Sequence, residues 1–280
     1  MKLLSSGRIE LCMSQLKENN RSGLFPFVTA GDPDLDFTKS LIKSLASSGA
    51  DGMEIGVPFS DPLADGPTIQ RASMRALEGG TNLKSVIKMV SEIREELKNF
   101  PLVIMTYYNP IVAMGVDIFV KECSLAGIDA VIVPDLPPEE SMPLLKSMDE
   151  YPIELVFMLA PTSTEERVSL VNKFGGGFIY YVAQMGVTGA RESLDKDLNI
   201  SLDKINEGKK LPVLVGFGIK TPEQAAEVSQ IAEGIIVGSA LIDVIEKNTQ
   251  RKDKLEAAAE YIASLKNAMD KSSSAGNKKG

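Results

Sequence analysis

Leu102-Val103-Ile104-Met105-Thr106-Tyr107 is apolar almost without a break. A strand with one wet face would alternate apolar and polar residues. An unbroken run predicts a strand covered on both faces, as in a parallel sheet flanked by helices. Similar short runs rich in Val, Ile and Leu recur along the chain. They fall at 24–29, 52–57, 130–133, 153–158, 178–182, 213–215 and 234–237. Between them lie segments of helical period, such as Phe37, Leu41, Ile42 and Leu45, or Leu83, Val86, Ile87, Val90 and Ile93. Helix-start signals agree with this alternation. Thr221-Pro222-Glu223-Gln224 combines a cap, a proline and a capping-box partner, and Ser163 with Glu166 has the same spacing.

Eight strand–helix units predict one α/β domain over 1–270, a (β/α)8 TIM barrel with an extra N-terminal helix near 3–19. A doubly wound open sheet is the alternative, but no Gly-x-Gly-x-x-Gly follows the first strand. The low-complexity end, 271–280, is expected to be a disordered tail.

Composition narrows the chemistry. Thirty basic residues against 38 acidic ones give a net charge of −8, which argues against nucleic-acid binding. It leaves room for phosphate held by backbone amides. The sequence has no histidine, so Ser–His and Cys–His nucleophile pairs and histidine-ligated metals are excluded. No metal site is expected. Cys12 and Cys123 suggest neither a ribbon nor a disulfide framework, and two free thiols fit a reducing cytoplasm. Leu3-Leu4 is too short an apolar run for a signal peptide.

In a barrel of this kind, catalytic groups gather at the C-terminal ends of the strands. Glu54 is the only charge between Asp51 and Asp61, and it precedes a loop stiffened by Pro58, Pro62 and Pro67. It reads either as a functional carboxyl or as a core carboxyl paired with a lysine. With Met53 and Ile55 on either side, desolvation could raise its pKa. Asp65 lies beyond the stiff loop and reads as a second carboxyl or as a helix cap.

Glycines close the circuit. Gly216-Phe217-Gly218-Ile219 and Val237-Gly238-Ser239-Ala240 follow the last two strands, where backbone amides and a helix start can take a phosphate. The alternative is a pair of ordinary turns. Gln184-Met185-Gly186-Val187-Thr188-Gly189 has the make-up of a lid or of a surface loop. Tyr107 and Tyr180 are assigned to an apolar aromatic slot.

The long motif Glu54-Ile55-Gly56-Val57-Pro58-Phe59-Ser60-Asp61-Pro62-Leu63-Ala64-Asp65-Gly66-Pro67-Thr68-Ile69-Gln70 resembles that of the tryptophan synthase alpha chain family. Val28-Thr29-Ala30-Gly31-Asp32-Pro33, Gly186-Val187-Thr188-Gly189 and the two glycine pairs complete the likeness, from about residue 8 to 266. The resemblance implies a lyase of tryptophan biosynthesis that splits indole-3-glycerol phosphate into indole and glyceraldehyde 3-phosphate. It implies Glu54 as the acid–base and Asp65 as the acceptor of the ring N–H. Phe27, Tyr107, Tyr180 and Phe217 would line the indole slot. Amides near Gly189, Gly218, Gly238 and Ser239 would take the phosphate, and Thr188 would close onto Asp65. Pro58, Asp61, Asn109 and Pro110 would face a beta chain in an alpha2-beta2 tetramer. That partner would carry pyridoxal phosphate, with no cofactor in this chain. Gln184 departs from the arginine that many members carry. A stand-alone lyase releasing free indole, a non-catalytic phosphate-binding subunit and a phosphoribosyl-sugar isomerase are the competing readings. The last does not account for the motif from Glu54 to Gln70.

Overall fold

The computed structural model describes residues 7–183, 202, 205, 211–216 and 218–276, the last three without their side chains. Its frame is a ring of parallel strands: β1 (Gly23–Thr29), β2 (Met53–Gly56), β3 (Leu102–Met105), β4 (Ala130–Ile132), β5 (Glu154–Val156), β6 (Met158–Leu159), β7 (Ile179–Val182), β8 (Val213–Gly216) and β9 (Gly234–Val237). Neighbours run β5-β4-β3-β2-β1-β9-β8-β7-β6. The fifth expected strand is thus two pieces. β5 pairs with β4 and β6 pairs with β7, with Phe157 between them. The barrel closes because the two ends of the sheet are consecutive pieces of one chain.

Strand alternation sorts the side chains into two cores. Phe25, Phe27, Val103, Ile132, Phe178 and Leu214 point inward. Leu24, Val28, Met53, Ile55 and Ile104 point outward to the helices. There they meet Phe37, Leu41 and Leu45 of α2 (Leu35–Ser47) and Val86, Val90 and Ile93 of α4 (Leu83–Arg94). The first helix, α1 (Arg8–Glu18), buries Ile9, Met13 and Leu16 in the inner cluster and plugs the barrel's N-terminal end. Between α2 and α4 lies α3 (Pro67–Glu78), which starts just after Asp65.

The N-terminal end is also fastened by acids. Asp51 Oδ2 accepts from Leu24 N–H (2.8 Å) and from Lys266 Nζ (2.6 Å). Asp129 is fully buried and accepts from Leu102 N–H, Arg94 and Arg8, each at 2.8 Å. Glu233 Oε2 accepts from Val213 N–H at 2.9 Å. In each case the acid that precedes one strand satisfies an N–H of the first or second residue of the strand beside it.

Several local readings change. Tyr107 is followed directly by a helix, α5 (Tyr108–Met114); Pro110 falls in its first turn, where a proline costs no hydrogen bond. A turn at Gly115 leads to α6 (Val116–Leu125). The short α7 (Met142–Met148) precedes β5. The next helix, α8 (Glu165–Phe174), is capped by Thr164 rather than Ser163, whose hydroxyl accepts from Ala160 N–H. The Thr221–Gln224 capping box is present at the start of α9 (Pro222–Val228). After β9 come α10 (Ser239–Glu246) and α11 (Arg251–Gly276). The last helix runs past residue 270, and Ser272 Oγ donates to Ala226 O at 3.2 Å. No helix among the described residues is long and apolar enough to cross a membrane.

Candidate active site

Glu54 is the second residue of β2, not its last. Its parity is opposite to that of Met53 and Ile55, so it points into the barrel while they pack outward. The desolvation expected from those two neighbours comes instead from the barrel interior. Glu54 is 2% exposed, and neither carboxyl oxygen has a hydrogen-bond partner among the described residues. Burial first, then the nearby charge of Asp65, pushes its pKa up to about 8. A carboxyl in that range is poised to give and take a proton near neutral pH.

Asp65 reaches the same place from the far end of the 57–66 loop. Its main-chain oxygen accepts from Gln70 Nε2 at 2.8 Å, which ties it to the first turn of α3. Burial raises its pKa, and a hydrogen bond from Tyr107 works against that rise. The Tyr107 hydroxyl also accepts from Ala64 N–H at 2.9 Å, and its ring stacks on Phe59 at 5.1 Å. Tyr107 therefore fastens the loop and Asp65 and is absent from the cavity wall. Burial, reinforced by the charges of Glu54 and Asp65, drives the Tyr180 phenol pKa well up and keeps it neutral.

The two carboxyls share a cavity of about 150 Å³. Phe27 and Tyr180 line it, together with Gly218, Gly238 and Ser239. Gly218 has φ +85°, a conformation that favours glycine. Gly56, beside the cavity, must also be glycine, because a Cβ there would lie 2.5 Å from the Phe27 ring. Ser239 is the first residue of α10, so free backbone amides and the positive end of the helix face the rim. Phe217, Thr188, Gly189 and Gln184 lie outside the described residues.

The sequence reading missed the apolar walls Met105, Pro134, Met158, Ile69 and Ile236. Met105 was within reach, since it shares the inward parity of Val103. Of the residues expected to meet a partner, Asp61 and Asn109 are exposed, Pro110 is half-buried and Pro58 is buried. Leu63, on the same loop, is 90% exposed.

A family model described as tryptophan synthase alpha chain matches residues 13–271. The chain belongs to the tryptophan synthase alpha chain family. It is 47% identical to the tryptophan synthase alpha chain of Geobacter sp. (strain M21), over 95% of this chain and 99% of that one. The Thermoanaerobacter sp. (strain X514) alpha chain is 42% identical, covering 94% and 99%. The structure superposes on tryptophan synthase subunit alpha from Legionella pneumophila str. Paris with a TM-score of 0.88. Identity there is 38%, and coverage is 94% and 98%. Tryptophan synthase from M. tuberculosis gives 0.83 at 31% identity, covering 94% of this chain and 98% of that one. As a tryptophan synthase alpha chain, this protein is a lyase that cleaves indole-3-glycerol phosphate and passes indole to a beta chain. In tryptophan synthase, pyridoxal phosphate belongs to the beta chain.

Proposed function

We propose that Glu54 and Asp65 perform the cleavage together, with Glu54 as the proton carrier. Three events must be served. The ring carbon that leaves gains a proton, the side-chain hydroxyl loses one as its carbon becomes the aldehyde, and the ring N–H is steadied as charge develops. Neutral Glu54 donates to the ring carbon. The carboxylate left behind then accepts the hydroxyl proton, so the carboxyl ends as it began. The electrons of the broken carbon–carbon bond return to the ring, and those of the O–H bond form the carbonyl. Asp65, ionised, receives the ring N–H.

The observation that carries this reading is Glu54 itself. It is a carboxyl buried inside a barrel, unpaired among the described residues, and facing a cavity it shares with a second carboxyl. A core ion pair would show a cation at those oxygens.

Phe27 and Tyr180 would flank the indole, while Gly218, Gly238 and Ser239 take the phosphate at the start of α10. Phe217, Thr188 and Gly189 belong to the same proposal through the family resemblance, and Tyr107 serves it as a fastening for Asp65. The exposed Asp61, Leu63 and Asn109 would meet the beta chain, with Pro110 at the margin and Pro58 stiffening the loop from within. The assembly would be an alpha2-beta2 tetramer in the cytoplasm, with no cofactor in this chain.

The test is indole release from indole-3-glycerol phosphate. Glu54→Gln should abolish release while the protein stays folded and still binds glycerol 3-phosphate. Retention of cleavage by that variant would overturn the mechanism.

A further inference from the structure

The helix that starts just after Asp65 and the helix that starts at Ser239 lie side by side, and their facing edges are ionic. Thr68, Arg71 and Arg75 form one stripe on α3 at helical spacing. Asp243 and Glu246 form the matching stripe on α10. Glu246 is held by both arginines, with Oε2 2.8 Å from Arg71 Nη2 and Oε1 2.7 Å from Arg75 Nη1. Thr68 Oγ1 donates to Asp243 Oδ1 at 3.2 Å. Arg75 also forks onto Asp32 at 2.8 and 2.7 Å, which ties α3 to the turn after β1.

Packing alone gives α3 little to hold it along its axis. The residues it fully buries are Ala72, Ser73 and Ala76, none large enough to key into a groove, and its one larger inward residue, Ile69, is half-buried at the cavity. Yet its first turn carries Asp65, through the bond from Gln70 Nε2 to Asp65 O. A slide or tilt of α3 along α10 would therefore move the Asp65 carboxyl relative to the amides at Ser239.

We propose that Glu246, gripped by Arg71 and Arg75, is a positioning residue that sets the span between the Asp65 carboxyl and the phosphate-binding end of α10. This rests on the roles given to Asp65 and Ser239 above. The ionic stripe makes the two helices one rigid part, so substrate anchored by its phosphate meets Asp65 at a fixed distance. Pairs whose arginines stay open to solvent, as Arg71 and Arg75 do, contribute little to stability, about 0–1 kcal/mol each. Loss of the grip should therefore appear in turnover before it appears in folding.

The experiment compares Glu246→Gln with the parent in the full chain, with and without the beta chain. Three quantities are read: kcat for indole release, the Kd of glycerol 3-phosphate and the Tm. The expected result is a fall in kcat of about fivefold or more, since small misplacements of a reacting group are costly. The Kd should stay within about twofold and the Tm within about 2 °C of the parent. An unchanged kcat overturns the inference. So does a fall in kcat matched by an equal loss of glycerol 3-phosphate affinity or by a large drop in Tm. Asp65→Asn separates the two levels. If it keeps parent activity, the reading of the cavity is what fails. If it loses activity while Glu246→Gln does not, only the positioning role fails.

Discussion

Phe27 and Glu54 are partners in the parallel register of β1 and β2, so an aromatic ring and an unpaired carboxyl occupy one level of the barrel interior. The carboxyl is buried, and neither of its oxygens meets a hydrogen-bond donor among the described residues.

The buried carboxyl should destabilise the fold at neutral and higher pH. With a folded pKa of about 8 against about 4.3 unfolded, the native state holds a proton that the unfolded chain releases. The parent's stability then falls as pH rises between those two values. Glu54→Gln removes this titration. In urea unfolding the variant should gain on the parent steadily from about pH 4.5 to pH 8, reaching a few kcal/mol. A constant difference across that range would show that the pKa is not raised.

The same group should shape the rate. The cycle starts from neutral Glu54, so kcat/KM for indole release should fall as pH rises through about 8. A plateau reaching well above pH 9 would contradict the assignment.

Tyr107→Phe keeps the stacking surface against Phe59 and removes the hydroxyl that serves both Ala64 and Asp65. The loss in stability should be about 1 kcal/mol. Because that hydrogen bond lowers the Asp65 pKa, its removal should move the acidic limb of kcat/KM to higher pH, since Asp65 then keeps its proton to higher pH. An unmoved limb would mean that Asp65 takes no part in the titration seen.

Asp129→Ala attacks the opposite end of the barrel. It leaves Arg94 and Arg8 without their shared carboxylate and Leu102 N–H without its acceptor. The cost should be about 3–5 kcal/mol, as for breaking a buried pair. Turnover of the protein that remains folded should be unchanged, measured as kcat per mole of folded chain.

The barrel was legible because eight covered strands and their helices have periods that few other folds share. Glu54 was legible as a carboxyl out of place in an apolar strand and the glycine pairs by their position after the last two strands, whereas Phe27 and the role of Asp65 came from the family motif. The walls were not. Met105 and Met158 are ordinary core residues whose function comes only from facing a cavity. Tyr107 was misplaced because a tyrosine at a strand end looks the same in sequence whether its ring meets a ligand or its hydroxyl holds a loop. The split at Phe157 left no trace either, since an apolar run reads the same whichever neighbour it bonds.

The hydrogen bond between Asp51 and Leu24 N–H lies three residues before Glu54 and works as a lock on strand alignment. A one-residue slip between β1 and β2 would break that bond and draw Asp51 away from Lys266, leaving that ammonium with Ser22 O. The same slip would take Glu54 from its place opposite Phe27. A contact with no access to substrate thus guards against a misaligned barrel with a correct sequence and no working acid.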